Sequence, residues 1–328
     1  MKKAFILMVL LIVILGYSGQ LVVYTYDSMT AGLAKKIEPI FEKKYGIDVK
    51  FVSFGDAGNI ISRILLEGKR TQADVILGLD QNLLLKAVEK GILFPYKPKN
   101  ISKVRKDLLY KGGFYAVPFD YGAIAVVYNT ETVKNPPKSF EDLLKPEYRR
   151  KIVVEDPRTS STGLAFLLWT ISIYGDNFAE YWKKLKDNLL TVTAGWDEAF
   201  EMLESGEADM MISYLTDSAY SHYYYGSGKY MPAVFKEGMF AQVEYVGICR
   251  FTDDLDAAKK FVDFMLSDEV QKLIPLNQWM LPAVNVDLPE VFKKYVPEVE
   301  KYVTIDPEKV EKNMEGWLKE WEKIMIGY

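Results

Sequence analysis

The chain has 328 residues, of which 49% are apolar, and it carries 41 Lys and Arg residues against 45 Asp and Glu residues, for a formal net charge of −4. This length exceeds that of one ordinary domain, so two compact units with separate cores are expected, and the charge provides no broad basic surface for nucleic acid. The single cysteine, Cys249, and the single histidine, His222, exclude a disulfide framework, a Cys- or His-rich metal site and most Ser-His-Asp catalysis.

Residues 1–18 have the pattern of a targeting segment. Lys2 and Lys3 precede the apolar run AFILMVLLIVIL, which is followed by GYSGQ. This order is typical of a secretory signal cleaved near Gly19, and because Gly-Tyr-Ser is a poor cleavage site, an uncleaved N-terminal anchor is the alternative. No cysteine follows the apolar run, which excludes a lipid-modified N-terminal cysteine. In either case the remainder is expected in the periplasm or outside the cell.

The next part of the chain alternates strand and helix patterns. The β-rich runs are LVVYTYDS, IDVKFVSF, ADVILGL and FYAVPFDYGAIAVVYN. Between them, apolar residues recur at helical spacing up to Tyr45, which precedes Gly46, and again in NIISRILLEG and QNLLLKAVEKG. This βαβ rhythm predicts a mainly parallel sheet that is covered by helices on both faces.

After the Pro-rich break NPPKS the same rhythm restarts with KIVVED, LAFLLWTISIYG, LLTVTAG, DEAFEMLESG and ADMMISY. Two α/β lobes are therefore predicted, with chain crossings between them near 120–122 and 242–244. We expect lobe I to comprise 19–122 plus about 243–285, and lobe II to comprise about 123–242 plus about 286–328. Asp306-Pro307 predicts the start of a terminal amphipathic helix that packs on a lobe.

In open α/β sheets ligands bind outside the carboxyl ends of the strands. In the first lobe, Tyr26 and Asp27 follow one strand, Asp56 follows the next and Asp80 follows the third. An aromatic ring and carboxylates at such positions favour a cationic ligand. Each carboxylate could instead cap the helix that follows it.

In the second lobe, hydroxyl and aromatic residues follow the strands. Ser160, Ser161 and Thr162 precede an apolar helix, where hydroxyl and backbone N–H groups could bind a phosphate or carboxylate oxygen, or could simply cap the helix. The aromatic candidates at the other strand exits and in a Pro-terminated loop are Trp196, Tyr214, Tyr220 and Trp279. Together these residues predict a cleft suited to a flat cationic ring with a hydroxyl or phosphate at its other end.

Eight blocks of sequence, in order from about Leu21 to about Trp321, resemble the thiamine-binding proteins of ABC importers. They are VYTYDS, ADVILGLDQN, VPFDYG, NPPKSFEDL, DPRTSSTGL, GWDEA, ISYLTDSAY and NQWMLPAVN. The resemblance implies a two-lobe, type II extracytoplasmic binding protein with an interlobe ligand cleft. Such a protein would capture thiamine, its monophosphate or its diphosphate and deliver it to a membrane permease.

The resemblance also implies roles for individual residues. Tyr26, Tyr220 and Trp279 match an aromatic sandwich for the pyrimidine ring of the ligand. Asp56 and Asp80 match positions near its cationic and amino-bearing part. The phosphate end matches Ser160, Trp196 and Tyr214, with Ser161 and Thr162 as neighbours. Many relatives have Thr-Pro where this chain has Ser161-Thr162, which puts the shape of the phosphate end in doubt.

After Tyr220 the family pattern dissolves into SHYYYGSGKY, which supports a rival interpretation. Three adjacent tyrosines, 223–225, and His222 are residue types that suit ferric iron. A ferric-iron-binding protein of the same fold is therefore the alternative function, and a surface or hinge-proximal tyrosine patch is the structural alternative.

An enzyme acting on a thiamine-like heterocycle is the third hypothesis. His222 lies outside the matched blocks, Cys249 has the surroundings of a buried strand residue, and no Walker A, HExxH, CxxC or GxSxG motif is present. We therefore predict no catalysis, no cofactor and no resident metal. The expected partners are the ligand and a permease, with no nucleic acid, and the expected state is a monomer.

Overall fold

A computed structural model describes residues 19–326 of the protein. The predicted targeting segment lies outside the described residues, so neither the signal nor the anchor alternative is addressed by the structure. Within the described part, no helix has the length and apolar character needed to cross a membrane.

Twelve strands occur in the described residues. They are β1 (Leu21–Thr25), β2 (Val49–Ser53), β3 (Val75–Asp80), β4 (Leu93–Phe94), β5 (Val117–Asn129), β6 (Ile152–Glu155), β7 (Leu189–Thr193), β8 (Met210–Tyr214), β9 (Tyr230–Ala233), β10 (Met239–Cys249), β11 (Leu281–Pro282) and β12 (Tyr302–Val303). Every strand predicted from β-rich sequence is confirmed, because each combines β-branched or aromatic residues with a buried position in the sheet.

Thirteen α-helices lie between these strands in the same described range. They are α1 (Asp27–Ala31), α2 (Ala34–Tyr45), α3 (Gly58–Glu67), α4 (Gln81–Glu89), α5 (Ser161–Tyr174), α6 (Phe178–Leu185), α7 (Trp196–Ser205), α8 (Asp217–Tyr225), α9 (Leu255–Met265), α10 (Asp268–Gln271), α11 (Ile274–Asn277), α12 (Glu290–Tyr295) and α13 (Pro307–Ile326). Gly46 ends α2 in the left-handed conformation, as predicted.

The sheet follows the order β2-β1-β3-β10-β5-β8-β6-β7. The three strands at one end and the three at the other are parallel within each group, as the βαβ rhythm predicts. The two long strands in the middle, β5 and β10, run antiparallel to each other and to their neighbours β8 and β3. The sheet is therefore mixed: the parallel pairing that the βαβ rhythm predicts occurs in the two end groups, and the short strand β12 adds one parallel pairing with β10.

The two predicted crossings lie side by side in the middle of the sheet. The register of β5 and β10 places Asp120 opposite Glu244 and Gly122 opposite Gln242. The lobe boundaries expected near these residues stay predictions. Aromatic side chains pack on both sides of this centre, for example Phe41 against Phe261 at 5.2 Å between ring centroids and Phe140 against Trp169 at 4.8 Å.

The C-terminal helix begins as the sequence predicts. The Asp306 carboxylate accepts a hydrogen bond from the Glu308 backbone N–H at 3.0 Å, which caps α13. Val310 and Trp321 of this helix are buried, and the Trp321 ring packs edge-on against Trp182 of α6 at 5.9 Å. The helix contacts α4 of the first βαβ series and α6 of the second, so it packs against both series and not on a single lobe.

Candidate ligand-binding cleft

A cleft of about 840 Å³ lies where the strands of both parallel groups end. Residues that follow β1, β2, β7 and β8, together with the N-terminus of α5 after β6, line it. Its position agrees with the rule that ligands of open α/β sheets bind outside the carboxyl ends of the strands. Its volume is in the range of small-molecule sites.

Most of the residues that sequence analysis selected meet in this cleft. Eight of the eleven line it: Tyr26, Asp56, Ser161, Thr162, Trp196, Tyr214, Tyr220 and Trp279. These eight residues come from six segments that are far apart in the sequence, and the fold brings them together. Whether each one binds a ligand stays a prediction.

The other three selected residues lie outside the cleft lining. Asp27 is exposed in the first turn of α1. Asp80 is fully buried and caps α4, since its carboxylate accepts hydrogen bonds from the backbone N–H groups of Asn82 and Leu83 at 2.9 and 2.7 Å. Ser160 is buried and caps α5 by accepting from the Gly163 N–H at 3.2 Å. Asp80 and Ser160 therefore act as helix caps in the structure, which is the alternative to ligand binding that the sequence left open.

A continuous wall of aromatic rings forms one side of the cleft. Trp196 stacks on Phe200 at 4.8 Å between centroids with 12° between the planes, and Phe200 meets Tyr220 edge-on at 5.4 Å. Tyr220 in turn meets Trp279 edge-on at 5.1 Å. Tyr220 and Trp279 thus touch each other, and a flat ring would lie against this pair rather than between its members. Aromatic faces of this kind attract cations and π systems.

Trp279 has an unusual backbone for so large a side chain. Its φ angle is +59°, in the left-handed region that non-glycine residues rarely adopt. The ring is held against Phe292 of α12, at 5.9 Å with 15° between the planes. Strain of this kind at a cleft residue is typical of functional sites.

Tyr26 lies at the floor of the cleft, and its position depends on Gly78 in β3. Gly78 has a φ of +98°, and a Cβ atom there would lie only 2.1 Å from Cε1 of the Tyr26 ring. The phenol O–H donates to Oε2 of Glu244 at 2.6 Å and accepts from Nε2 of Gln278 at 2.5 Å. The ring therefore packs closely on Gly78, and two hydrogen bonds hold its hydroxyl at the floor.

Asp56 joins the two sides of the cleft. Its carboxylate accepts hydrogen bonds from the backbone N–H of Trp196 at 3.1 Å and from that of Ser161 at 3.4 Å. These are the first residues of α7 and α5, whose free N–H groups favour an anion. Burial raises the pKa of Asp56, and the N–H donors oppose that rise.

The two sides also touch closely beside Asp56. A Cβ atom on Gly58 would lie 2.3 Å from the backbone oxygen of Thr159. Only glycine allows this approach. The structure therefore has the cleft walls in contact at this edge.

A chain of hydroxyl and amide groups connects the hydroxyl-rich helix start to the central strands. The buried Gln242 amide donates from Nε2 to the Tyr214 hydroxyl at 2.9 Å and lies 3.5 Å from Oγ of Ser161. The Tyr214 hydroxyl in turn lies 3.5 Å from Oγ1 of Thr162. Burial raises the pKa of Tyr214 well above its usual value, so the phenol stays protonated and can donate.

Carboxyl groups dominate the ionisable side chains at the floor of the cleft. Asp217 and Glu244 line it and are almost completely buried. Burial raises the pKa of Asp217 to about 7, opposed by hydrogen bonds from Ser213 and the backbone of Tyr214. The cationic lining residues are Lys35 and Lys36, which are exposed at the rim. Positive charge on a ligand is therefore favoured at the floor.

Sequence analysis missed several lining residues. Phe200 lies one helical turn after Trp196, and this spacing could have identified it. Tyr223 and Tyr224 of the divergent segment line the mouth, each with its ring centroid 5.5 Å from that of Trp279. Gln278 lies within a matched block.

His222 and Cys249, which the rival hypotheses also invoke, lie outside the cleft lining. The His222 ring stacks on Tyr295 at 3.6 Å, and its Nδ1 lies 2.8 Å from the Ser218 carbonyl oxygen. No group of three or more His, Cys, Asp or Glu side chains among residues 19–326 is arranged to hold a metal ion. Cys249 is buried in β10, as predicted, and burial raises the pKa of its thiol to about 11.

Comparison with known proteins identifies relatives of the whole described chain. Residues 70–313 match the family described as bacterial extracellular solute-binding protein. Over 308 residues the chain is 39% identical to the thiamine-binding periplasmic protein of Brucella abortus, which covers 92% of this chain and 91% of the relative.

A solved structure of a periplasmic thiamin binding protein superposes with a TM-score of 0.87 at 35% identity, covering 93% of this chain and 96% of that chain. The apo ferric ion-binding protein A of Pasteurella haemolytica superposes with a TM-score of 0.76 at 21% identity, covering 93% and 97%, and this likeness extends to the fold alone. These neighbours confirm the predicted two-lobe, type II fold. The chain belongs to the family of bacterial extracellular solute-binding proteins, in which its relatives include the thiamine-binding periplasmic proteins.

Proposed function

We propose that this protein is the extracytoplasmic solute-binding component of an ABC importer and that it captures thiamine. The observation that carries the proposal is the pairing of an aromatic wall with buried carboxyl groups in one cleft, in a chain 39% identical to a thiamine-binding protein. It functions in the periplasm or outside the cell and delivers its ligand to a membrane permease.

The chemistry of thiamine fits the cleft in three respects. Its aminopyrimidine ring is flat and can lie against the edge-on pair Tyr220 and Trp279. Its thiazolium ring carries a fixed positive charge, which the faces of Trp196 and nearby carboxylates attract. Its hydroxyethyl arm, free or phosphorylated, can reach the N–H and hydroxyl groups at the start of α5.

Closure of the two lobes around the ligand is the proposed mechanism. A ligand that first lies on one wall recruits the other wall, and the closed form is what the permease would recognise. The contacts of Asp56 with the helix starts across the cleft support this proposal, since they form only when the walls meet. The working form is proposed to be a monomer.

No turnover of the ligand is proposed. The chain's one thiol, Cys249, and its one imidazole, His222, both lie outside the cleft lining, so neither supplies a nucleophile or a base there. Product formation from thiamine by the purified protein would contradict this.

Equilibrium dialysis tests the proposed ligand. The protein is first unfolded and refolded to remove bound ligand, and is then dialysed against thiamine and each of its phosphates. We expect saturation near one thiamine per chain. The rival iron function predicts instead a phenolate charge-transfer band after ferric citrate is added, and that band without thiamine binding would reject our proposal.

A further inference from the structure

Three acidic side chains form a row across the middle of the sheet. The register places Glu244 of β10 opposite Asp80 of β3 on one side and opposite Asp120 of β5 on the other. Asp80 and Asp120 are 0% exposed and Glu244 is 3% exposed. Of the three, Glu244 lines the cleft.

The row has no cation to balance it. None of the three forms an ion pair with a Lys, Arg or His side chain within residues 19–326. Asp80 is stabilised by the helix N–H groups that it caps. Both carboxyl oxygens of Asp120 lack a hydrogen-bond donor in the described part of the chain if the group is ionised. A buried charge without a partner is strongly unfavourable, so Asp120 is expected to be neutral.

Protonation of Asp120 removes the need for a hydrogen-bond donor to its carboxyl group. Burial is the main cause that raises the pKa of Asp120 well above its usual range, and the neighbouring Glu244 adds to the rise. The protonated Asp120 can then donate to a Glu244 oxygen. Burial raises the pKa of Glu244 to about 8, the charges of Asp80 and Asp56 add to the rise, and hydrogen bonds from Tyr26 and Gln242 oppose it.

We propose that Glu244 holds a proton while the cleft is empty at neutral pH and releases it to solvent when a cationic ligand binds beside it. One positive charge enters the floor of the cleft as one proton leaves, so the net charge there is unchanged. The carboxylate that remains becomes the counter-ion of the ligand. This inference rests on the proposed function, since the thiazolium of thiamine supplies the fixed charge.

The exchange predicts pH-dependent affinity. Protons compete with the cation for Glu244, so affinity should rise with pH by up to about tenfold per unit below the pKa of Glu244 and level off above it. A neutral ligand would show no such competition. The thiazolium charge of thiamine is constant near neutral pH, so the trend there would report on the protein.

Isothermal titration of thiamine in buffers of different ionisation enthalpy measures the protons released. From a pKa of about 8, release should be about 0.9 proton per ligand at pH 7 and about 0.5 at pH 8. Binding at pH 7 with an enthalpy that is the same in all buffers would overturn the inference and leave the proposed function standing. Failure of thiamine to bind at all would reject both.

Two matched variants assign the proton. Glu244→Gln should abolish the release and weaken binding, whereas Glu155→Gln, which changes a buried carboxyl outside the cleft lining, should leave both unchanged. Release that persists in Glu244→Gln, or that is lost in Glu155→Gln, would overturn the assignment. If Glu244→Gln binds too weakly to titrate, the pH profile of the wild type decides, since release that does not fall from pH 7 to pH 8 would overturn the assignment.

Discussion

The carboxylate of Asp56 accepts a hydrogen bond from the backbone N–H of Trp196 at 3.1 Å, across the cleft between two α/β segments. Asp56 follows β2, and Trp196 begins α7 in the second βαβ series. A residue chosen from the sequence as a partner for a cationic ligand therefore also connects the cleft walls. Under the proposed function, ligand binding and closure would share this side chain.

Asp56→Ala should open the cleft and weaken thiamine binding. A hydrogen bond to a charged group contributes about 1.5–3 kcal/mol, so loss of the contact with Trp196 should reduce affinity by roughly 10- to 100-fold. Calorimetry gives the affinity, and small-angle X-ray scattering should show a larger radius of gyration. Asp27→Ala, an exposed carboxylate outside the cleft lining, is the control and should change neither.

Gly78→Ala should displace the Tyr26 ring, because its new Cβ atom would overlap Cε1 of that ring. Gly46→Ala is a matched control, since Gly46 also has a positive φ but no atom within 4 Å of the added Cβ. The control should lose about 1–2 kcal/mol of unfolding free energy from backbone strain alone. Gly78→Ala should lose more and should also bind thiamine less tightly. Equal effects in denaturant unfolding would contradict this account of Tyr26.

Thiamine should change the tryptophan fluorescence through the two cleft tryptophans. Trp196→Phe and Trp279→Phe should each remove part of the change, and the double variant should remove nearly all of it. Trp317→Phe is the control, because Trp317 lies on α13 outside the cleft lining and should leave the response intact. An unaltered response in the double variant, with binding verified by calorimetry, would place the ligand elsewhere.

The buried carboxyl of Asp217 should make stability fall as pH rises. Its pKa is about 7 in the folded protein against an ordinary value of 3.8, so the folded state holds more protons between these values. Stability from this group is therefore complete below about pH 4 and is lost as pH rises through 7. Asp217→Asn should raise the unfolding free energy by up to about 4 kcal/mol at pH 8 relative to the wild type, since a shift of about three pKa units corresponds to that amount. At pH 5 the gain should be much smaller, and equal gains at both values would contradict the assignment.

The element pattern could be predicted because the local signals were strong and agreed with burial. The alternation of β-branched runs with helical periods identified the strands and helices of both parallel groups. The antiparallel centre could not be predicted, because the pairing of β5 with β10 joins residues more than one hundred positions apart, such as Asp120 and Glu244. Local sequence contains no information on which distant strand becomes the neighbour.

Some residues of the cleft could be selected from the sequence, and others could not. The rule of strand exits selected Trp196 and Tyr214, which line the cleft because the topology brings these strand exits to one edge. Their role in ligand binding stays a prediction. Asp80 and Ser160 could not be separated from ligand-binding residues, because helix caps use the same side chains at the same positions. Glu244 was assigned to a crossing between the lobes, and its place in a row of acids depends on strand register.

The crystal structure of the protein grown with thiamine is the most direct test of the central claim. The account predicts one thiamine in the cleft, in contact with Trp279 and Trp196 and with its thiazolium beside a carboxylate of the floor. Thiamine bound outside this cleft, or a cleft left empty at saturating thiamine, would contradict it.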